Sequence, residues 1–319
     1  MPSVSIIIPT CNRPQLLPRA VESARAAGTD VEIIVVDDAS EDETAAVCAR
    51  HSGIKYIRLD RNQGVAGARN VGILASSAEF VAFLDDDDLR LPGSLDWQVA
   101  TLAAAPGAGF VCGAMLIADQ NYRPTGEVSA PPEMDGDVFW QLLELDFPVM
   151  PLSVVIRKQC FLSVGLLNRR IPGIDDWDIL VRIAELFPGI TSAEPVGIYR
   201  QPAPCSGQGS SVQSEQLARA ATHQLRLFEL PRVKAVSKSE RQAIRRRTIN
   251  RVADTLLWNA WKSLPQKEFG FAVANIATAL RLNPYRVLRP AVVRRMGKTL
   301  SERLRERYSD PDSLKSPTA

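Results

Sequence analysis

Histidine is almost missing from this chain. Only His51 and His223 occur in 319 residues, and neither has a partner at metal-ligand spacing. A histidine-built metal centre is therefore not expected. The five cysteines (Cys11, Cys48, Cys112, Cys160, Cys205) are scattered, odd in number and form no C-x-x-C pair. That pattern excludes a disulfide framework or a zinc site and fits reduced thiols in a cytosolic protein. No apolar run approaches the ~18 residues of a membrane span. Met1-Pro2-Ser3 leads straight into an apolar strand pattern without a basic n-region, so a signal peptide is not expected. No G-x-G-x-x-G follows the first strand pattern, and no Walker A sequence occurs. A nicotinamide oxidoreductase and a P-loop NTPase are both disfavoured.

Acidic residues, by contrast, are concentrated. Asp85-Asp86-Asp87-Asp88 follows directly on Phe80-Val81-Ala82-Phe83-Leu84. The apolar run reads as a buried strand. Carboxylates crowded at its end repel one another unless a cation or hydrogen-bond donors neutralise them. Ligands bind at the C-terminal strand ends of open α/β sheets. Mg²⁺ or Mn²⁺ takes one or two carboxylates together with phosphate oxygens, so a divalent ion carrying a diphosphate suits the cluster. A solvated acidic loop is the weaker reading, because a strand precedes the cluster and helix-start signals follow it.

Strand and helix signals alternate along the first 118 residues. Strands are expected at 4–8, 31–36, 54–59, 80–84 and 110–118. Helices are expected at 14–27, from Ser40 as N-cap to Arg50, at 66–75 and from Pro92. The near-continuous apolar strands suit a sheet covered on both faces, which predicts a doubly wound, mostly parallel, Rossmann-like α/β domain. Residues 119–136, rich in proline and glycine, read as a loop. Further on, 153–157 reads as a strand, 175–186 as a helix and 195–200 as strand or loop. Pro202 to Ser211 reads as a lid or linker, and the pattern is helical from about Ser214. Three more polar segments share the topology of the Asp cluster: Pro9-Thr10, Asp37-Asp38 and Asn62-Gln63-Gly64. All end strands, so all are expected at one crevice.

The segments PTCNRP (9–14), VVDDAS (35–40), NQGVAGARN (62–70), FLDDDD (83–88) and GIDDWDILVRIA (173–184) together resemble inverting family-2 glycosyltransferases with the GT-A fold. Each motif alone is weak to moderate; five in the family's order carry the resemblance across roughly the first 200 residues. The resemblance implies transfer of a sugar from a nucleotide-diphosphate donor, a UDP-sugar first among them, to a saccharide, lipid-linked or other hydroxyl acceptor, with Mn²⁺ or Mg²⁺. It implies that Pro9, Thr10 and Asp37 or Asp38 hold the nucleoside. Asn62, Gly64 and Arg69 would help close that pocket. Asp85 and Asp87 occupy D-x-D positions: Asp87 as metal ligand, Asp85 on the ribose or a metal-bound water. Asp86 would touch the donor sugar or orient the strand end. Of the acidic pair Asp175-Asp176, Asp176 is the expected general base, with Asp175 next in line. Some residues keep two readings: Arg69 as a phosphate contact or a surface ion pair, Asp175 as catalytic or as a helix cap, and Arg200 as a diphosphate contact or structural. Trp177 is expected in the core. Proline stands at position 202, where the family often has a histidine after a Tyr-Arg pair, which leaves water to complete the metal's shell.

The chain divides by charge. Residues 231–307 hold 19 Lys and Arg against 5 Asp and Glu; the remainder holds 19 against 31. The expected organisation is a catalytic domain over 1–210, with a nucleotide-sugar half to about 118 and an acceptor half from 119 to 210. A basic helical region over 211–308 and a flexible tail over 309–319 follow. From Pro290 onward, Val293, Met296, Leu300 and Leu304 form an apolar stripe between basic residues. Such a helix docks on its own protein or lies on an anionic inner membrane face, docking being favoured. No nucleic-acid motif accompanies the charge. A cytoplasmic enzyme is the expectation, peripheral at the membrane where the basic helices lie on it. The alternatives are a nucleotidyltransferase, which would need a glycine-rich loop where PTCNRP stands, and a non-catalytic nucleotide-sugar binder.

Overall fold

The structure is a computed structural model that describes residues 2–285 apart from 148, 172, 202–224 and 265–268. Its first half runs β1 (Val4–Thr10), α1 (Leu17–Ala26), β2 (Val31–Asp37), α2 (Thr44–Ala49), β3 (Ile54–Arg58), α3 (Val65–Ala75), β4 (Phe80–Phe83), β5 (Leu89–Arg90), α4 (Ser94–Ala104) and β6 (Phe110–Ala118). It continues with β7 (Pro124–Ser129), β8 (Met134–Gly136), α5 (Phe139–Leu143), β9 (Val154–Arg157), α6 (Cys160–Val164), α7 (Asp175–Leu186) and β10 (Gly189–Arg200). Three helices complete the described chain: α8 (Pro231–Ala235), α9 (Lys238–Ser263) and α10 (Phe269–Leu282).

The main sheet has the order β3-β2-β1-β4-β9-β6-β10-β5, with β7 paired to β6 and β8 to β10. Pairing is parallel from β3 to β4 and again between β6 and β10. Strand β9 enters antiparallel between β4 and β6. The two-residue period of the strands sorts side chains to opposite faces. Ile7, Ile34 and Phe83 join α3, α5 and α7 in one core; Ile6, Ile8 and Val35 join α1, α2 and α4 in the other. This is the α/β fold expected, with helices on both faces.

Strand order places the site. The chain builds β1, β2 and β3 outward, then returns to set β4 on the other side of β1. The strand ends diverge at such a reversal and leave a crevice. Thr10 closes β1 beside Asp37 of β2, and the Asp cluster leaves β4 just past the Ile7–Phe83 pair.

Two expectations fail locally. Residues 119–136 contain β7 and β8 rather than a continuous loop. Most of β7 is exposed, with Thr125, Gly126 and Glu127 facing water, so its sequence lacks the apolar signal of the inner strands. Its Pro124 stands at the first strand position, where proline is tolerated. Ser40 is not the N-cap of α2. Its hydroxyl accepts the backbone N–H of Asn12 at 2.9 Å, and the helix begins at Thr44, whose N–H goes to Asp42.

The basic helices α9 and α10 pack together around Val252, Ala253, Leu256, Leu257 and Ala279. Helix α9 also docks on the end of α5. Arg247 gives Glu144 two bonds of 2.7 Å, and Arg251 caps the Glu144 carbonyl at 2.6 Å. Part of the basic charge thus holds the helical region on the α/β unit. The 202–211 segment, the start of the helical pattern at Ser214, the stripe from Pro290 and the 309–319 tail lie outside the described residues.

Close helix–strand approach depends on Gly72 in α3. A Cβ there would lie 2.3 Å from the Ile7 side chain in the centre of the sheet. Gly72→Ala is expected to destabilise the protein by about 1–3 kcal/mol, an overpacking cost. Urea denaturation measures it; an unchanged midpoint would show that α3 does not pack this tightly.

Candidate active site

The cleft at the strand reversal has a volume of about 450 Å³ and is walled by the ends of β1 and β4 on one side and the start of α7 on the other. Its first wall is the Asp cluster. Asp86 accepts the Thr10 hydroxyl at 2.7 Å and Arg13 at 3.0 Å. Arg13 also reaches Asp87 at 3.3 Å. Burial pushes the Asp86 carboxyl up to about 6, with Arg13 and Thr10 pulling the other way. Burial and then the Asp85 charge raise Asp87 as well. Asp88 is raised well above the usual range by burial and Asp85, although Arg200 donates its N–H to it at 2.8 Å. Burial leads at all three, and the like-charge crowding that the sequence implies comes second at Asp87 and Asp88.

The second group of predicted residues divides. Asp38 lines the cleft, and its carboxylate takes the N–H groups of Gln63 at 2.7 Å and Gly64 at 2.9 Å. It therefore holds the 62–64 turn, and Asn62 adds a bond to the Asp38 carbonyl. Gly64 sits at φ 76° just before α3, a conformation that favours glycine. Asp37 lies behind them, fully buried. Its carboxylate accepts the Ser40 N–H at 2.8 Å and the Tyr56 hydroxyl at 2.5 Å. Pro9, Thr10, Asp38, Arg69, Asp85, Asp86, Asp87, Asp175 and Asp176 all meet at the cleft; Asp37, Asn62 and Gly64 support it from outside.

Arg69 joins the two walls. It projects from α3, is 3% exposed, and donates to Asp85 at 2.6 Å and Asp175 at 3.2 Å. The surface-ion-pair reading of Arg69 is thus corrected, since helix α3 lies under the cleft and its arginine points inward. Burial works against its charge, but Asp85 and Asp175 outweigh it and hold its pKa above the usual value. Its Nε is buried without a hydrogen-bond partner.

Asp175 and Asp176 begin α7, where unpaired N–H groups favour carboxylates. Asp175 is 1% exposed and accepts the Gly173 N–H at 3.3 Å besides Arg69. Asp176 accepts the Trp177 N–H at 2.8 Å. Phe83, Ile156, Ile179 and Leu180 form an apolar hollow behind it. Burial first, then the Asp175 charge, pushes the Asp176 carboxyl up to about 7. Trp177 is core, as expected, and its indole N–H donates to the Leu142 carbonyl at 2.7 Å.

Sequence reasoning gave Arg13 no role, although it stands within PTCNRP at the same sheet edge. Its pairing with Asp86 and Asp87 depends on a contact 73 and 74 residues away. Tyr122, which bonds the Asp87 carbonyl at 3.0 Å, was hidden in the segment read as a loop.

The cleft suits a hard divalent cation only with help from a ligand. Among the described residues no group of three or more His, Cys, Asp or Glu side chains is arranged to hold a metal. Asp85 and Asp87 offer two carboxylates, the number that Mg²⁺ or Mn²⁺ takes beside phosphate oxygens and water. The donors are all oxygen, and the ion would share Asp85 with Arg69 and Asp87 with Arg13. The residues therefore fit such an ion.

Residues 5–158 match the profile of Glycosyl transferase family 2, which supports a family-2 glycosyltransferase. An uncharacterized glycosyltransferase of Haemophilus influenzae is 27% identical over 185 residues, 57% of this chain and 62% of its own length. A GalNAc(5)-diNAcBac-PP-undecaprenol beta-1,3-glucosyltransferase of Campylobacter jejuni is 45% identical over 124 residues, 37% of this chain and 39% of its own. The chain thus covers less than two thirds of each of these relatives. Two solved structures share the fold: TarS 1-349 of Staphylococcus aureus, with TM-score 0.54, 17% identity and coverage of 89% and 90% of the two chains; and a mannosyltransferase of Pyrobaculum calidifontis in complex with GDP-Man and Mn²⁺, with TM-score 0.55, 17% identity and coverage of 89% and 87%. The fold is that of GT-A glycosyltransferases.

Removing Arg69 leaves Asp175 buried without its cation. Arg69→Gln is expected to cost about 3–5 kcal/mol, the usual penalty for breaking a buried pair. Asp85→Asn leaves Arg69 paired with Asp175 and should cost less than Arg69→Gln, although it removes one of two carboxylates from a buried guanidinium. Chemical denaturation of both variants checks this; equal losses would show that Arg69 is not the bridge.

Proposed function

We propose that this protein is a metal-dependent inverting glycosyltransferase that moves a sugar from a nucleotide-diphosphate donor to an acceptor hydroxyl. The observation that carries the reading is one cleft with two acidic walls, Asp85–Asp87 and Asp175–Asp176, joined by Arg69. One wall has the charge for a cation and diphosphate; the other has a carboxyl with raised proton affinity. In-line transfer from a diphosphate donor can use both, the first for the leaving group and the second for the acceptor proton.

In this reading Pro9, Thr10 and Asp38 hold the nucleoside, with Asp37, Asn62 and Gly64 shaping that end. Asp38 is the better placed of the acidic pair because it lines the cleft. Asp87 and Asp85 hold Mn²⁺ or Mg²⁺, and Asp86 orients the strand end through Thr10 and Arg13. A bound metal supplies positive charge for the departing diphosphate. Asp176 accepts the proton of the acceptor hydroxyl as its oxygen attacks the anomeric carbon and the bond to diphosphate breaks. The in-line geometry inverts that carbon, as in inverting glycosidases with an acceptor in place of water. Asp175 and Arg69 fix the start of α7 and hence the base.

A UDP-sugar is the first donor to try. UDP and UDP-GlcNAc are bound in TarS structures, whereas the Pyrobaculum enzyme binds GDP-Man. The Campylobacter relative is named for an undecaprenol-linked acceptor, and a Staphylococcus aureus relative, 41% identical over 96 residues, for poly(ribitol-phosphate). Polysaccharide or glycolipid synthesis is the setting these names support. No helix among the described residues is long and apolar enough to cross a membrane. Peripheral contact with an anionic membrane face through the basic helical region belongs to the same reading. Co-sedimentation with anionic vesicles tests that part, and no binding would remove it.

Asp87→Ala is expected to abolish Mn²⁺-dependent nucleotide binding in a calorimetric titration. Asp176→Asn should retain that binding and lower transfer by ~10²–10⁴-fold. Because only the ionised base accepts a proton, and burial beside Asp175 raises the proton affinity of Asp176, wild-type kcat/KM should fall on the acidic side at a pH above the usual carboxylate range. Transfer that survives Asp176→Asn, or a flat profile between pH 5 and 8, would move the base elsewhere.

A further inference from the structure

The turn between β6 and β7 carries a tyrosine in a costly backbone conformation. Tyr122 sits at φ 61°. This left-handed region disfavours side chains with a Cβ, bulky ones most. Glycine or asparagine is what such a position usually selects. The turn does not need the ring to close. Tyr122 N–H donates to the Asp119 carbonyl at 3.0 Å, and Asp119 N–H to the Arg123 carbonyl at 2.9 Å. The Asp119 carboxylate takes the N–H groups of Asn121 and Arg123. Strain that the local structure does not require points to a use for the side chain.

That use lies in the cleft wall. The Tyr122 hydroxyl donates to the backbone carbonyl of Asp87 at 3.0 Å. Its ring stands between two guanidinium groups, Arg19 at 4.6 Å and Arg200 at 5.5 Å from the ring centre. Gln120, in the same turn, accepts Arg200 Nε at 2.7 Å. Asp88 accepts the Arg200 backbone N–H at 2.8 Å. The Arg200 guanidinium is thereby held by the Gln120 carbonyl and the Tyr122 ring, its backbone by Asp88, and its side chain is only 12% exposed. Its Nη1 stops 4.0 Å from the Asp87 carboxylate, beside it but short of a direct hydrogen bond. An arginine ordered in advance loses little rotamer freedom when an anion arrives.

We propose that Tyr122 is a positioning residue for the diphosphate end of the cleft. It sets the Arg200 guanidinium next to Asp87 so that one faces phosphate oxygens while the other faces a cation. This rests on the donor-site reading above. Without the ring, Arg200 closes on Asp87 as a direct ion pair or swings to solvent, and either movement spoils the alternation of charge. The hydroxyl has the smaller part: it pins the Asp87 backbone.

The test is calorimetric titration of the full chain with Mn²⁺ plus UDP, and separately with Mn²⁺ plus GDP. The proteins compared are wild type, Tyr122→Gly, Tyr122→Asn, Tyr122→Phe, Arg200→Gln and the Tyr122→Gly/Arg200→Gln double variant, each with its melting temperature. Glycine and asparagine accept φ 61°, so relief of strain offsets part of the lost ring contacts and both variants should still fold cooperatively, which the melting curves check. Their affinity should nevertheless fall about ten- to a hundredfold, the worth of a charge-assisted contact. Tyr122→Phe keeps the stack and should stay within several-fold of wild type. The double variant should bind about as Arg200→Gln does, because the ring acts through that arginine. Wild-type affinity in Tyr122→Gly and Tyr122→Asn, or losses that multiply in the double variant, would overturn the positioning role while leaving the donor site intact. Wild type that binds neither nucleotide would overturn the donor-site reading itself, and this proposal with it.

Discussion

The structure depends most on one buried arginine placed between carboxylates from distant parts of the chain. Arg69 bonds Asp85 at the end of β4 and Asp175 at the start of α7. Without a cation these two acidic groups would repel across the cleft, and one of them would take up a proton more readily. Burial makes the arrangement costly, and the paired charges offset that cost only while the geometry holds. Arg13 does the same for Asp86 and Asp87, on the opposite side of the cluster. Protein cations thus hold the acidic walls of the crevice together.

The sheet makes this possible through its strand order. Parallel strands from β3 to β4 send their C-terminal ends to one edge, and the reversal beside β1 opens a crevice there. The two apolar cores lie on either face of the sheet and leave that edge to polar groups. Hydrogen bonds inside the edge then separate two kinds of acidic residue. Asp37 accepts neighbouring N–H and O–H groups as buried scaffolding, whereas Asp38 holds the 62–64 turn and also lines the cleft. Asp86, Asp87, Asp88 and Asp176 carry raised proton affinity, in each case chiefly because they are buried.

Much of this was legible in the sequence because it is local. Apolar runs such as Val4–Ile8 and Phe80–Leu84 fix inner strands, and the helix at Asp175–Leu186 shows its acidic first turn. The convergence of the Asp cluster with Thr10 followed from the topology alone. What failed depends on distant partners. Arg69 could not be distinguished from a surface cation, since its second partner lies 106 residues away. Ser40 has the chemistry of a helix cap, yet Asn12 claims its hydroxyl first. Strands β7 and β8 are short and largely polar, so no periodicity announced them, and Tyr122 was obscured with them.

The central claim is that the crevice between β1, β4 and α7 holds a nucleotide diphosphate together with a divalent cation. A thermal-shift screen of UDP, GDP, dTDP and CDP, each with Mn²⁺, with Mg²⁺ and with EDTA, tests it most directly. A ligand that binds only the native state raises the melting temperature by mass action. The account predicts a rise with one nucleotide in the presence of metal and none in EDTA. A rise that persists in EDTA would contradict the role given to Asp85 and Asp87, and no rise with any nucleotide would contradict the donor site.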